Sequence, residues 1–212
     1  MSYYIRAKTI PEAWEKILRV VWNKGETRTK DEWGSDTREV LNLVVNVSEP
    51  TAKTRIPEGY PWNSEKLEEY ARTEFLSADN RGFVYTYGQR LHNYDGLNQI
   101  EEVISRLKAA PNTRRAVATS WKPSEDSKNE EVPCLVLWDW KIRDGKLHQT
   151  TCIRSNDMYG AWPANAFGLT RLLEHVAREV GVEPGSITTH SISAHVYSRD
   201  FDMVKKILGV KE

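Results

Sequence analysis

The sequence predicts an α+β protein, in which helices and strands are mixed without strict alternation. Amphipathic helical segments are interspersed with β-branched apolar runs, but the two do not follow one another in βαβ order. Asp144-Gly145 joins two strand-like segments, which indicates an antiparallel hairpin. Both observations favour a sheet layered with helices over a doubly wound parallel sheet. The chain has 212 residues and no Pro/Gly/Ser-rich linker, so we expect one domain over residues 1–212.

The first part of the chain predicts a helix, a strand and a loop. Thr9 and Glu12 form a capping box, after which apolar residues recur at helical spacing until Gly25. Residues 40–47 are apolar at nearly every position and rich in β-branched residues, which is typical of a buried strand. Residues 50–64 are rich in proline and polar groups and predict a loop.

The remaining elements are predicted from caps and periodicity. Residues 65–76 can be helical, and Asn98 caps a helix that ends before Pro111. Gly181 is expected to stop a long apolar helix. The other predicted elements are a strand at 116–121, the two hairpin strands, that long helix over 164–180, a strand over 187–197 and a closing helix over 201–208.

Composition excludes several classes of function. Lys plus Arg equals Asp plus Glu, 30 of each, so no net field attracts nucleic acid or a membrane surface. The N-terminus has no apolar signal core and no segment is long enough to span a bilayer, so we expect a soluble, cytoplasmic protein. His190 and His195 have ligand-like spacing but lack a second pair, and there is no Cys-x-x-Cys motif. We therefore predict no metal site.

Cys134 is the candidate nucleophile. If Asp144 and Gly145 are the two loop residues, Cys134 faces Ser155 across the hairpin, with Arg154 beside it. A neighbouring guanidinium favours the thiolate, lowers the cysteine pKa and can also hold an anionic substrate. The alternative is that this cysteine is a small buried hydrophobe in an apolar strand.

Six ordered motifs between about residues 85 and 200 resemble the thymidylate synthase family. They are Tyr87-Gly88, Pro111-Asn112-Thr113-Arg114-Arg115, Pro133-Cys134, Arg154-Ser155-Asn156-Asp157, Pro163-Ala164-Asn165 and His195-Val196-Tyr197. The resemblance implies a mixed sheet layered with helices, and a homodimer that methylates dUMP to dTMP with a methylene-carrying reduced pterin. No metal is implied.

The resemblance also implies a role for each matching residue. Cys134 would add to C6 of the pyrimidine, and Arg154 with Ser155 would hold the phosphate, which guanidinium forks bind well. Arg114 and Arg115 would reach the phosphate of the neighbouring subunit.

Four further residues would contact the rest of the substrate. Asn165 would read uracil, because an amide offers a donor and an acceptor, although it could instead cap the helix at Ala166. The other implied roles are the deoxyribose hydroxyl for His195 and Tyr197, positioning of ring or carrier for Asp157, and removal of the C5 proton for the network containing Tyr87.

The sequence also departs from the family pattern. In the family, an apolar helix carries a catalytic glutamate; here that helix is missing or remodelled, which leaves Glu58 as the nearest candidate. The family's phosphate-binding loop is also altered, so that Arg38 is its candidate arginine. The chain ends at Glu212, where ordinary members continue into a tail that folds over the folate, and this resembles the short synthases of methanogenic archaea.

These departures leave open both the carrier and the outcome of the reaction. The carrier is methylene-tetrahydrofolate or methylene-tetrahydromethanopterin. The enzymatic alternative is a dUMP or dCMP hydroxymethylase, in which water intercepts the exocyclic methylene intermediate. A non-catalytic nucleotide-binding protein is disfavoured because Cys134 and its arginines are retained. Trp62 and Trp162 are the apolar side chains expected to exclude water.

Overall fold

A mixed seven-stranded sheet with helices packed on it forms the part of the chain that the computed structural model describes, residues 2–30 and 34–210. The strands are β1 (Tyr3–Ala7), β2 (Glu26–Arg28), β3 (Thr37–Val47), β4 (Val117–Thr119), β5 (Leu135–Arg143), β6 (Lys146–Asp157) and β7 (Glu183–Tyr197). The helices are α1 (Ile10–Lys24), α2 (Ser64–Glu74), α3 (Tyr87–His92), α4 (Gln99–Ala109), α5 (Pro123–Asp126), α6 (Trp162–Val180) and α7 (Phe201–Leu208).

The strand order is β1-β3-β7-β6-β5-β4, and β2, which lies off this path, pairs with β3. The pairs β1–β3 and β6–β7 are parallel, and the other pairs are antiparallel. This mixture confirms the predicted α+β class. None of the described helices combines the length and the apolar character needed to cross a membrane.

Helix ends follow the predicted capping chemistry. The Thr9 hydroxyl accepts from the Glu12 amide (3.4 Å), and the Glu12 carboxylate accepts from the Lys8 amide (2.8 Å). Asn98 caps α4 through the Glu101 amide (3.2 Å). Gly181 ends α6 with a φ of 85°, in the left-handed region that favours glycine.

One face of the sheet is buried and the other is open. Along β3, Val40, Leu43 and Val45 are buried, whereas Leu41 between them is 47% exposed. Leu137 on β5 and Ile192 on β7 are likewise exposed. Helices α1, α4 and α6 contact the sheet strands, and their apolar residues join the same core cluster. The open face is therefore a surface with exposed aliphatic groups.

The hairpin between β5 and β6 has the predicted two-residue turn but a different register at its far end. Asp144 and Gly145 have φ of 51° and 73°, as a type I′ turn requires. Leu137 pairs with Cys152 as predicted, but a β-bulge at Val136 then pairs Leu135 with Ile153. The Cys134 carbonyl consequently accepts from the Arg154 amide (2.8 Å). The prediction that Cys134 faces Ser155 is therefore wrong by one residue.

Other differences concern short elements and one boundary. Strands β1 and β2 and helices α3 and α5 are not predicted from periodicity, and β4 is shorter than the predicted 116–121. Helix α6 begins at Trp162, and the backbone N–H of Asn165 donates to the Ala161 carbonyl (2.9 Å). Asn165 lies inside the first turns of α6, so the interpretation of Asn165 as a cap at Ala166 is wrong.

Candidate active site

A cavity of about 480 Å³ opens where β5 and β6 meet helices α2 and α3. It combines a thiol, a guanidinium, three phenols and three carboxyl groups. Its lining consists of Tyr70, Glu74, Phe83, Tyr85, Tyr87, Glu130, Glu131, Val132, Cys134 and Arg154. Three residues that the sequence predicts for the site, Tyr87, Cys134 and Arg154, thus lie together.

Arg154 holds the segment that carries the thiol. Its Nε donates to the Pro133 carbonyl (2.9 Å) and its Nη2 to the Val132 carbonyl (3.0 Å). The same Nη2 lies 4.0 Å from the Cys134 Sγ. A guanidinium is suited to this task because its donors are fixed in a planar fork. The pairing of thiol and guanidinium is therefore present, although it arises from the bulged register.

The net effect on the thiol pKa differs from the prediction. Burial raises the pKa of Cys134, and the Arg154 charge, which lowers it, offsets only part of that effect. Cys134 is therefore chiefly a thiol at neutral pH in the protein without ligands. The free sulfur needs a further influence before it becomes an effective nucleophile.

Three tyrosines line the cavity together with the sulfur, of which Tyr87 is buried and Tyr70 and Tyr85 are half-buried. Tyr87 begins α3, and the Thr86 hydroxyl caps this helix at the Gln89 amide (3.0 Å). Tyr85 donates its hydroxyl to the Val132 carbonyl (3.1 Å). Burial raises the pKa of Tyr85 to about 12 and the pKa values of Tyr70 and Tyr87 further, so all three remain phenols that can donate hydrogen bonds.

Glu74, the last residue of α2, is the carboxyl group that the sequence analysis missed. Its side chain lines the cavity, is paired with Arg81, and is 19% exposed. Burial raises the pKa of this carboxyl, and Arg81 opposes that effect. A carboxyl with a raised pKa in the same cavity as a nucleophile is suited to proton transfer near neutral pH.

Glu58, the sequence candidate for this carboxyl, lies elsewhere. It borders a separate groove, whose lining includes Trp14 of α1 and Met203 and Ile207 of α7. The Tyr70 and Glu74 side chains share one face of α2 because they are four residues apart. That spacing places both side chains in the cavity, although the polar sequence of α2 does not indicate that this face meets β5 and β6.

Asn165, in the first turns of α6, is hydrogen-bonded to Tyr70. It is 4% exposed, and its Oδ1 accepts from the Tyr70 hydroxyl (2.8 Å). Tyr70 is in turn held edge to face by Trp62 (5.4 Å) and Phe75 (5.9 Å). The predicted base-reading amide is therefore connected to the thiol cavity through one phenol.

The ends of β6 and β7 bring together the other predicted polar residues. Ser155 pairs with Ser193, and Asp157 pairs with His195. The His195 and Tyr197 rings touch (4.9 Å), which agrees with their predicted position on one side of the strand.

Two hydrogen-bond networks fix this end of the sheet. The Ser193 hydroxyl donates to Glu39 (2.5 Å) and lies 3.3 Å from the His195 Nδ1. The Asp157 carboxylate accepts from the amides of Tyr159 (3.0 Å) and Gly160 (3.1 Å). A Cβ at Gly160 would lie 2.7 Å from the Asp157 carboxylate, so any larger residue here would displace that side chain. Asp157 thus shapes the chain between β6 and α6.

The arginines assigned to the phosphate are not all beside the cavity. Arg38 of β3 lies over the Trp22 ring (5.1 Å), and its Nε is buried without a hydrogen-bond partner among the described residues. Such a donor is suited to a ligand anion. Arg114 and Arg115 are exposed in the loop between α4 and β4.

Arg114 and Arg115 lie toward the other end of β5 from Cys134. The Ala116 carbonyl accepts from the Trp140 amide (2.9 Å), and Trp140 is roughly 20 Å along β5 from Cys134 at the rise of an extended strand. Within one chain, these two arginines and the thiol are therefore far apart.

No group of three or more His, Cys, Asp or Glu side chains suited to a metal ion occurs in residues 2–30 and 34–210.

The model of the family described as Thymidylate synthase matches residues 20–212. The chain belongs to the thymidylate synthase family.

Similar proteins agree with this membership. A protein of Methanosarcina acetivorans named "Putative thymidylate synthase" is 53% identical over 206 residues, covering 96% of this chain and 94% of that protein. A protein of the same name from Methanothermobacter thermautotrophicus is 46% identical over 222 residues, covering 98% and 99%. The thermostable thymidylate synthase A of Bacillus subtilis has a TM-score of 0.77 at 21% identity, covering 97% of this chain and 86% of that one.

The structural similarity confirms the predicted thymidylate synthase-like sheet layered with helices. The protein is an enzyme of the methyltransferase class. Members of the family in general methylate dUMP with a folate-type one-carbon donor.

Proposed function

We propose that this enzyme methylates dUMP to dTMP through covalent attack of Cys134 on pyrimidine C6, with a methylene-carrying reduced pterin as the one-carbon donor. The observation that carries the proposal is the Cys134 Sγ at 4.0 Å from the Arg154 guanidinium, inside a cavity walled by phenols and carboxyl groups. A thiol in such a cavity can add to a planar ring that enters it.

The proposed methylation consists of an addition, a one-carbon transfer and a reduction. The Cys134 thiolate adds to C6, and the electron pair of the C5–C6 bond makes C5 nucleophilic toward the methylene carbon of the carrier. The proton on C5 is then lost, the carrier nitrogen leaves, and a hydride from the carrier reduces the exocyclic methylene to methyl while Cys134 departs from C6. Glu74 and the Tyr87 phenol are the cavity groups placed to exchange protons with the base.

Burial of the free thiol is consistent with activation on substrate binding. Transfer of a proton from Cys134 to a cavity carboxylate would produce the attacking thiolate, and Arg154 would stabilise it. Activation limited to the bound state protects the sulfur from wasteful oxidation between turnovers.

The remainder of the nucleotide would extend along the ends of β6, β7 and β3. His195 and Tyr197 would bind the deoxyribose hydroxyl, and Asp157 would position the ring or the carrier. Arg38, Arg154 and Ser155 would bind the phosphate. The buried Nε of Arg38, which lacks a partner among the described residues, supports its assignment.

A homodimer would complete the phosphate site. We infer that the open sheet faces of two copies pack together, with Leu41, Leu137 and Ile192 in the interface, and that Arg114 and Arg115 serve the partner's phosphate. The separation of these arginines from Cys134 within one chain supports this arrangement. One catalytic domain over residues 1–212 and a cytoplasmic location stay predictions.

Trapping with fluoro-dUMP tests the proposal. Fluorine at C5 cannot leave as a proton, so the protein, fluoro-dUMP and the correct methylene-pterin should form a covalent ternary adduct. Intact-protein mass spectrometry of wild type and Cys134→Ser measures it, with Cys152→Ser as the matched control. An adduct in Cys134→Ser, or none in wild type with either methylene-tetrahydrofolate or methylene-tetrahydromethanopterin, contradicts the proposed chemistry.

Product analysis separates synthase from hydroxymethylase and identifies the carrier. With the correct pterin, dTMP should be the main product from dUMP. If the main product with every pterin is hydroxymethyl-dUMP, or hydroxymethyl-dCMP from dCMP, the enzyme is a hydroxymethylase and not a synthase.

A further inference from the structure

The hydrogen bond between Tyr70 and Asn165 is the feature that the proposed reaction does not yet use. Tyr70 lines the thiol cavity, and its hydroxyl donates to the Asn165 Oδ1 at 2.8 Å. Asn165 is 4% exposed and Tyr70 is half-buried, so the bond is partly shielded from solvent. Within the described chain this is the one hydrogen bond of the Tyr70 hydroxyl.

The Tyr70 ring has little freedom to move. Trp62 and Phe75 pack on it edge to face at 5.4 and 5.9 Å, with interplanar angles of 69° and 70°. Burial raises the pKa of Tyr70, so the hydroxyl keeps its proton and acts as a donor. A fixed ring with a protonated hydroxyl is a fixed donor.

A fixed donor selects one of two orientations of an amide. With Oδ1 toward Tyr70, the second lone pair of Oδ1 and the Nδ2 hydrogens are left for a base. Uracil matches this pattern, because its N3–H donates and its O4 accepts. Cytosine has an acceptor at N3 and a donor amino group, so it requires the amide rotated by half a turn.

Rotation of the amide would remove the acceptor from the phenol. The Nδ2 group would then face the Tyr70 oxygen, and the phenol hydrogen would lose its one acceptor among the described residues at a partly buried position. A donor shielded from solvent that loses its acceptor disfavours that state by roughly tenfold. The cost applies to cytosine and not to uracil.

We propose that Tyr70 is a specificity-determining residue, whose hydroxyl holds the Asn165 amide in the orientation that accepts uracil and rejects cytosine. This inference rests on the proposed function, in which Asn165 reads the base. Tyr70 is a positioning residue in it, since it acts through Asn165.

Tyr70→Phe tests the inference, because it removes the hydroxyl and keeps the ring between Trp62 and Phe75. The dissociation constants of dUMP and dCMP are measured by titration calorimetry, and kcat/KM is measured for dUMP. The preference for dUMP over dCMP should fall about tenfold, with weaker dUMP binding and stronger dCMP binding. Tyr60→Phe is the matched control, since it removes a buried hydroxyl that donates to the Gly160 carbonyl (2.7 Å) and not to Asn165.

A double-mutant cycle shows whether Tyr70 acts through the amide. In an Asn165→Ala background, Tyr70→Phe should change the preference less than about twofold. An unchanged preference in Tyr70→Phe, or an equal change with and without Asn165, overturns the inference. Absence of dUMP binding by wild type would instead overturn the proposed function, so the two failures are distinguishable.

Discussion

The two ends of the candidate site differ in how complete one chain makes them. At the base end, where the thiol lies, hydrogen-bond partners within the chain are already present for Cys134, Arg154, Tyr85 and Tyr70. At the phosphate end, Arg38 keeps a buried Nε without a partner among the described residues, and Arg115 is exposed. The base end is thus preorganised, whereas the phosphate end depends on the ligand and, in our proposal, on a second chain.

Subunit complementation is the most direct way to break this comparison, and it should give the largest effect. Cys134→Ser chains and Arg114→Ala/Arg115→Ala chains should each be inactive or nearly so. After subunit exchange, heterodimers contain one site with both an intact thiol and intact arginines. Random mixing should therefore restore about a quarter of wild-type activity in a dUMP methylation assay.

The control is a mixture of Cys134→Ser chains with Cys134→Ser/Arg38→Ala chains, which should stay inactive. If exchanged dimers of the first mixture also stay inactive, Arg114 and Arg115 do not act across an interface, and the phosphate end is complete in one chain.

Exchange of the two candidate carboxyl groups sharpens the account of the base end. Glu74→Gln should lower kcat by about 10² to 10⁴, because it removes a proton donor and acceptor beside the thiol. Glu58→Gln should leave kcat within about twofold, since Glu58 borders a different groove. Steady-state kinetics of both variants decide between them.

The pH dependence of Glu74 gives a second check on the same residue. Burial raises its pKa, so the protonated form persists to higher pH than in an ordinary glutamate. The kcat–pH profile of wild type should contain a step above the normal glutamate range that Glu74→Gln lacks. A step that persists in Glu74→Gln would belong to another group.

The reactivity of the free thiol should show a moderate effect of pH. Because burial raises the pKa of Cys134, its alkylation by iodoacetamide should be slow at neutral pH and rise up to tenfold per pH unit beyond the range of an ordinary cysteine. Arg154→Gln should move this curve to still higher pH. Peptide mass spectrometry distinguishes Cys134 from Cys152, and a curve below that of a free cysteine would contradict the burial effect.

The smallest expected effect concerns water at the base end. Trp62 is half-buried against Tyr70, so Trp62→Ala should raise the hydroxymethyl fraction of the product by a modest amount, measured by chromatography with mass detection. Trp162 is fully buried in the core, and its indole donates to Thr189 (3.0 Å). Trp162→Ala should instead lower the free energy of unfolding by about 3 to 5 kcal/mol.

Much of the fold was predictable because its signals are local. Helices begin at the caps Thr9 and Asn98, and α6 ends at Gly181, through contacts within a few residues. The Asp144-Gly145 turn is fixed by backbone conformation alone. Strand β1 was not predictable from periodicity, because it has five residues and pairs with β3 far along the chain. Its assignment depends on the partner strand.

The site was predictable in its ordered motifs and not in its local chemistry. The motifs identify Cys134 and Arg154, but the raised pKa of Cys134 follows from burial, which depends on the packing of distant segments. The position of Glu74 in the cavity was hidden for a related reason. Helix α2 is mostly polar, so nothing in its own sequence indicates that its last turn meets β5 and β6.

The bulge at Val136 decides which residue of β6 lies opposite the nucleophile. The Val136 carbonyl accepts from the Ser120 amide (3.2 Å) and from the Thr119 hydroxyl (2.8 Å), so β4 holds the extra residue in place. Without the bulge, the uniform register set by the Asp144-Gly145 turn would bring the sulfur opposite Ser155 instead of Arg154. Through the hydroxyl hydrogen bond to Val136, a substitution at Thr119 would alter the register of the nucleophile and with it the reactivity of the thiol.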